Sequence, residues 1–166
     1  MRKLPPTTIL ALDPGLRDLG YAILRGRKLV DSGVRTFRFV PRARRHAQAL
    51  RTLADWIRRH QPTVLVLEAT NRSSEPTFQA LRALTTSMRR MARRHGLECV
   101  AYSAQTVRKA LVGNGWASKR DVAVALAARY PTLRVFVRQN RQWKERYFQN
   151  MFDAVALAVH HQVSTR

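Results

Sequence analysis

Apolar and polar positions along the chain follow two periods, and each period predicts a kind of element. Residues 7–13 form an apolar run, Ile9-Leu10-Ala11-Leu12, that stops on Asp13, with Pro14-Gly15 supplying the turn. A buried strand is expected there. Residues 20–24 and 34–40 read as two further strands, the second alternating so that one face stays wet, and the three together predict an antiparallel meander. Residues 42–60 carry Ala47, Leu50, Leu53, Ala54 and Ile57 at helical spacing before Gln61-Pro62 ends the helix. A second continuous apolar run, residues 63–68, again ends on a carboxylate, Glu68. The spacing then predicts a long helix over 76–94, with Leu81, Leu84, Met88, Met91 and Ala92 on one stripe and Arg82, Arg89, Arg90, Arg93 and Arg94 over much of the rest. That stripe suits either packing on the sheet or a contact with a second copy of the chain.

Residues 98–102 read as a short strand, and Ser103 is placed to cap a helix through about residue 111. Gly113-Asn114-Gly115 is a turn, and Ser118-Lys119-Arg120-Asp121 resembles a capping box with Asp in place of Glu, opening a helix to about residue 129. Residues 131–148 give no clear pattern. A last helix is expected over 150–162, where Ala154, Val155, Ala158 and Val159 suit close packing on a sheet. No internal repeat or domain boundary stands out, so residues 1–166 are read as a single domain. The element order predicts an α/β fold, a mixed sheet with helices on both faces, with functional groups at the strand ends.

Composition adds a core and a partner class. A chain of about this length hides roughly 68–70% of its unfolded surface, and 45% apolar content is enough to fill that interior. The one cysteine, Cys99, excludes an intramolecular disulfide framework and a cysteine-cluster zinc site. The first apolar run is too short for a signal core and no run approaches a membrane span, so the expected location is the cytoplasm of a bacterium or a phage-infected cell. Lys and Arg number 31 against 10 Asp and Glu, a formal charge of +21. Such an excess is stabilised by a polyanion, and a nucleic-acid backbone fits better than a membrane because the charge runs through the whole chain. The preference for arginine suits phosphate, and a codon bias towards arginine would give the same count.

With so few acids, each can be placed. Asp18, Asp31, Asp55, Glu75, Glu98, Asp121 and Glu145 sit in polar surroundings or at caps. Asp13 and Glu68 end the two most apolar strands, and Asp153 lies between Phe152 and a run of small apolar residues. Carboxylates beside buried segments raise one another's proton affinity unless a cation lies between them. Mg²⁺ or Mn²⁺, as two ions, would compensate them and would support phosphodiester cleavage. Strand-end acids also serve as helix caps or loop hydrogen-bonders, so spacing alone leaves both readings open.

Four blocks in order carry a resemblance. Residues 9–15 and 16–22, Ile-Leu-Ala-Leu-Asp-Pro-Gly followed by Leu-Arg-Asp-Leu-Gly-Tyr-Ala, look like the first motif of RuvC-type Holliday-junction resolvases. Val64-Leu65-Val66-Leu67-Glu68 resembles that family's second acidic strand, residues 107–115 its basic helix and glycine turn, and residues 152–158 its final acidic helix. The resemblance implies a ribonuclease-H-like fold, a homodimer, and Mg²⁺- or Mn²⁺-dependent nicking of two strands of a four-way junction by water. It makes Asp13, Glu68 and Asp153 the catalytic, metal-binding carboxylates, puts Arg108 near the scissile strand and matches Lys119 to a second basic, catalytic position. Lys109, Arg120, the Gly113, Asn114 and Gly115 turn, and the helix start at Ser118 would face DNA phosphates.

Three departures accompany the match. Where the family usually has a fourth acidic or histidine ligand this chain has Asn150, which offers a carbonyl oxygen without charge. His160 and His161 lie two to three turns on and are read as core or surface residues. Residues 69–73 lack the family's aromatic wedge, leaving Arg72 or Phe78 as substitutes. Residues 133–149 are longer than usual and interleave Trp143, Tyr147 and Phe148 with basic residues, a pattern that stacks on DNA bases or packs on the core. The alternatives to a junction resolvase are a phage-type branched-DNA or related nuclease, and a junction-binding protein with a weakened active site.

Overall fold

A computed structural model describes residues 7–69, 73–138 and 142–165, with side chains omitted for 142–146. Strands β1 (Thr8–Asp13), β2 (Asp18–Arg25) and β3 (Lys28–Thr36) form the expected antiparallel meander. Strands β4 (Val64–Glu68) and β5 (Glu98–Tyr102) run parallel to β1, giving the order β3-β2-β1-β4-β5. This is the mixed sheet that the resemblance implied.

Strand periodicity divides the interior in two. Leu10, Leu12, Leu65 and Leu67 point to one face, where Leu53, Trp56 and Ile57 of α1 (Arg42–His60) and Leu84, Met88 and Ala92 of α2 (Pro76–Arg94) cover them. Ile9, Ala11, Val64 and Val66 point to the other, under α3 (Ala104–Val112), α4 (Lys119–Arg129) and α6 (Gln142–Ser164). The α6 residues Ala154, Val155, Ala158 and Val159 are fully buried, so the small-residue pattern marks the helix that lies closest to the sheet. Ser103 accepts the Thr106 N–H at 3.1 Å, and Ser118 with Asp121 completes the capping box at the start of α4.

Three expectations shift. Strand β3 lies at 28–36 rather than 34–40, because Gly26-Arg27, with Gly26 at φ 54°, closes a two-residue turn between Arg25 and Lys28. As a sheet edge with only partial burial, β3 leaves little apolar pattern to read. The unreadable stretch contains a 3-10 turn, Pro131–Leu133, and a short helix α5 (Arg134–Val137), before α6 begins eight residues earlier than expected. Phe148 packs against Phe136 at 4.6 Å between ring centroids and Tyr147 meets Phe148 at 5.0 Å, which favours the packing reading for these two residues. Finally, Leu84 and Met88 of the α2 stripe are buried within the chain, leaving Leu81 and Met91 half-buried. No helix among the described residues is long and apolar enough to cross a membrane.

His160 and His161 are core residues. The Tyr102 ring meets His160 edge-on at 4.4 Å, and its hydroxyl lies 2.9 Å from His161 Nδ1. Burial lowers the proton affinity of both rings; the neighbouring His161 lowers His160 further, while Glu98 partly raises His161. The unfolded chain therefore takes up protons first as pH falls below the ordinary histidine value of 6.5, and stability is lost from there down to the lowered folded values. Burial at Asp13 acts with the opposite sign, so the contribution is best read as a difference. In urea unfolding at about pH 7.5 and pH 5.5, His160→Gln should lose less stability between the two conditions than the parent chain. Equal losses would remove the histidine contribution.

Candidate active site

Strand parity brings the acids together. Asp13 continues the face of Ile9 and Ala11, and Glu68 continues that of Val64 and Val66, so both carboxylates leave the sheet on the side that α6 covers. The parallel register pairs Leu12 with Leu67, and one further step sets Asp13 beside Glu68. Helix α6 supplies the third acid and is held at a fixed height. A side chain on Gly20 would overlap the Asn150 carbonyl, so the glycine lets the helix backbone settle directly on β2. The Asn150 amide then donates from Nδ2 to the Asp18 carbonyl at 3.1 Å. Asp153, three residues on, faces the same way. One oxygen from each of Asp13, Glu68 and Asp153 falls within 4.8 Å of the others, the one group of at least three His, Cys, Asp or Glu ligands among the described residues.

Burial raises the proton affinity of Asp13 well above the usual carboxylate range, with Glu68 and Asp153 adding to it and Lys119 opposing it. Glu68 is raised by burial and then by Asp153, with Lys119 and Arg108 opposing. Lys119 Nζ lies 3.3 Å from Asp153 Oδ2, and Gln149 Nε2 donates to Oδ1 at 2.9 Å. The lysine is half exposed, so its screened pairing leaves the cluster well short of neutral. Three oxygen donors, short of positive charge and aimed at one point, fit a hard divalent cation. His160 and His161 take no part in this group.

The basic residues divide. Arg108 and Lys119 line one cleft with Glu68 and Asp153 over Val107 and Val122. Lys109 and Arg120 are exposed on the neighbouring helices, and Gly113, Asn114 and Gly115 form the loop between them. The Ser118 amide and hydroxyl both donate to Asp121 Oδ2, so the cap is engaged within its own helix. Arg72 lies outside the described residues, as does the side chain of Trp143; Phe78 is half-buried near the start of α2. Of the acids read as peripheral, Asp18 pairs with Arg38 at 2.7 Å and Asp55 with Arg58 at 2.8 Å. Two neighbours of the site escaped the sequence reading. Gln149 precedes the final motif by one helical turn from Asp153, a spacing that could have flagged it, and Trp116, 84% exposed in the α3–α4 loop, follows a glycine turn that drew attention only to its backbone.

Known proteins resemble this chain in sequence and in fold. The family profile described as crossover junction endodeoxyribonuclease RuvC matches residues 9–161. Proteins of that description from Maricaulis maris and Pseudomonas aeruginosa are 33% and 34% identical over 132 and 127 residues, covering 74% and 70% of this chain and 78% and 70% of their own. Among solved structures, Thermus thermophilus RuvC in complex with Holliday junction substrate superposes with a TM-score of 0.76 at 20% identity, covering 96% of this chain and 95% of that one. The yeast mitochondrial Holliday junction resolvase Ydc2 gives 0.64 at 13%, covering 95% and 78%. A family match over residues 9–161 and relatives one third identical over most of both chains lead to one conclusion: this chain belongs to the RuvC family of crossover junction endodeoxyribonucleases.

Proposed function

We propose that this chain is a structure-selective endodeoxyribonuclease that resolves four-way DNA junctions through paired, metal-dependent nicks. The observation that carries this reading is the meeting of Asp13, Glu68 and Asp153, from two strands and a helix, in a protein of charge +21. Asp13, Glu68 and Asp153 would hold Mg²⁺ or Mn²⁺, with Asn150 as a neutral fourth donor. Bound there, such ions would activate the attacking water and stabilise charge on the departing 3′ oxygen. The chain's own residues do the rest. The negative charge these carboxylates carry repels bare phosphate, and a bound cation would remove that barrier. Lys119 holds Asp153 in place and presents an ammonium where phosphate charge arrives, while Arg108 shields Glu68 and flanks the cleft. Lys109, Arg120 and the Gly113–Gly115 loop position the DNA, with Arg72 and Trp143 as further contacts; the Ser118 amide, held by Asp121, is left out of that role.

Asn150 favours a second reading, a protein that grips junctions but cuts them weakly. Its amide is spent on the Asp18 carbonyl, and it brings no negative charge to the ions. A synthetic junction with Mg²⁺ or Mn²⁺ separates the two, since paired nicks support the enzyme and binding without cutting supports the module.

Asp153→Asn should slow nicking on the order of a hundredfold or more while leaving junction binding intact. The same variant should lose the rise in melting temperature that Mn²⁺ gives the parent chain; an unchanged rise would place the metal elsewhere. Asn150→Asp should cut faster at limiting Mg²⁺, yet cost about 1–3 kcal/mol in metal-free urea unfolding, because a carboxylate cannot donate to the Asp18 carbonyl. Equal activity at limiting Mg²⁺ would exclude a ligand role for position 150. Two symmetric nicks need two centres, so light scattering should give about twice the 19.1 kDa chain mass; a mass near one chain would remove the homodimer.

A further inference from the structure

We infer that Trp116 is a base-stacking residue that recognises an unpaired nucleobase next to the cleaved phosphate. The inference rests on the junction-nuclease reading and adds to it the group that reads the open branch point. Trp116 is 84% exposed, whereas Trp56 is 8% exposed and packs on Tyr21 at 4.4 Å between ring centroids. A lone exposed apolar residue carries little by itself. Its presentation and position carry the argument.

The loop that bears Trp116 is fixed along its main chain. Gly113 ends α3 at φ 76° and donates its N–H to the Lys109 carbonyl at 2.9 Å. Asn114 Oδ1 accepts the Trp116 N–H at 2.9 Å, and the Asn114 carbonyl accepts the Ala117 N–H at 3.2 Å. Gly115 lies flat on α3, where a Cβ would come within 3.0 Å of Gln105 Cγ and 3.3 Å of its carbonyl oxygen. The capping box of Ser118 and Asp121 follows at once. The backbone is therefore held on both sides of a side chain that stands in solvent, so little ordering entropy remains to be lost when the indole meets a flat partner.

The loop leads straight to the acids. Three residues after Trp116, the Lys119 ammonium touches Asp153, and the helix against which Gly115 rests contributes Arg108 to the same cleft. Between residues 104 and 123, no other large apolar side chain is exposed. A protein partner would call for a cluster of apolar anchors around such a residue. An isolated indole among Arg108, Lys109, Lys119 and Arg120 instead matches the way proteins hold single-stranded nucleic acid, with cations on phosphates and a ring on a base face. Bases in continuous duplex hide their faces in the stack, so an unpaired base at a branch point is the partner that remains.

The test compares the parent chain, Trp116→Ala and Trp116→Phe in chelator, using a four-way junction with 2-aminopurine at the crossover and a linear duplex of equal length. Because the side chain is exposed, the circular dichroism and melting temperature of both variants should match the parent. Trp116→Ala should weaken junction binding roughly tenfold and lower the change in 2-aminopurine fluorescence, with duplex affinity unchanged and most of the junction affinity kept in Trp116→Phe. Unchanged junction affinity and probe signal in Trp116→Ala would overturn the assignment. An equal loss on junction and duplex would also overturn it, by showing a backbone contact. If the parent chain itself fails to prefer the junction, the junction reading fails and the stacking role falls with it.

Discussion

Three carboxylates held within reach of one another at the end of an apolar sheet repel, and the fold has to force them together. Burial makes this harder, because it removes the water that would screen them, and Asp13 responds by holding its proton more tightly. Against that cost the protein sets strands whose interior residues are fully buried and a helix of small side chains that lies close upon them. Packing of this kind stabilises by roughly 25 cal/mol for each Å² of apolar surface removed from water, enough to hold an arrangement that the acids alone would abandon. A cation bound there would relieve the repulsion that packing imposes. In this sense the centre is preorganised by hydrophobic burial and completed by charge.

The surrounding basic residues work at longer range. The net charge of +21 draws in DNA, but the attraction is indifferent to structure. Structure enters where the charge is interrupted: at the acids, whose grouped oxygens fit a divalent cation, and at the indole of Trp116, which offers a face rather than a charge. Lys119 belongs to both regions, since it pairs with Asp153 and opens the helix next to the loop.

Much of this was legible in the residues. The two apolar runs that stop on Asp13 and Glu68, the capping box at Ser118 and the small-residue stripe of α6 each obey a local rule, and each appears where the rule put it. Strand β3 was misread because an edge strand needs no apolar alternation, and its true signal was a short glycine turn between charged residues. The start of α6 was missed because its first turns carry no apolar stripe of the kind that marks its later ones. Trp116 was passed over because sequence shows an aromatic residue but not whether it faces inward; Trp143 drew notice instead, by the company it keeps. The donation of the Asn150 amide to Asp18 depends on the close approach of α6 to Gly20, a distance that no local pattern encodes.

The parallel pairing of β1 with β4 has a consequence for how such proteins vary. Because side chains alternate along a strand, moving either strand by one residue would turn its acid to the opposite face, among the leucines that α1 and α2 cover. The long connection between the two strands bears on the centre through β2, where Gly20 and the Asp18 carbonyl set the height of α6. Length changes confined to the turns of that connection leave the centre in place, whereas an insertion inside β1 or β4 turns its acid to the other face. Divergence in this family should accordingly leave a chain of elastic spacers joined by short stretches of incompressible sequence.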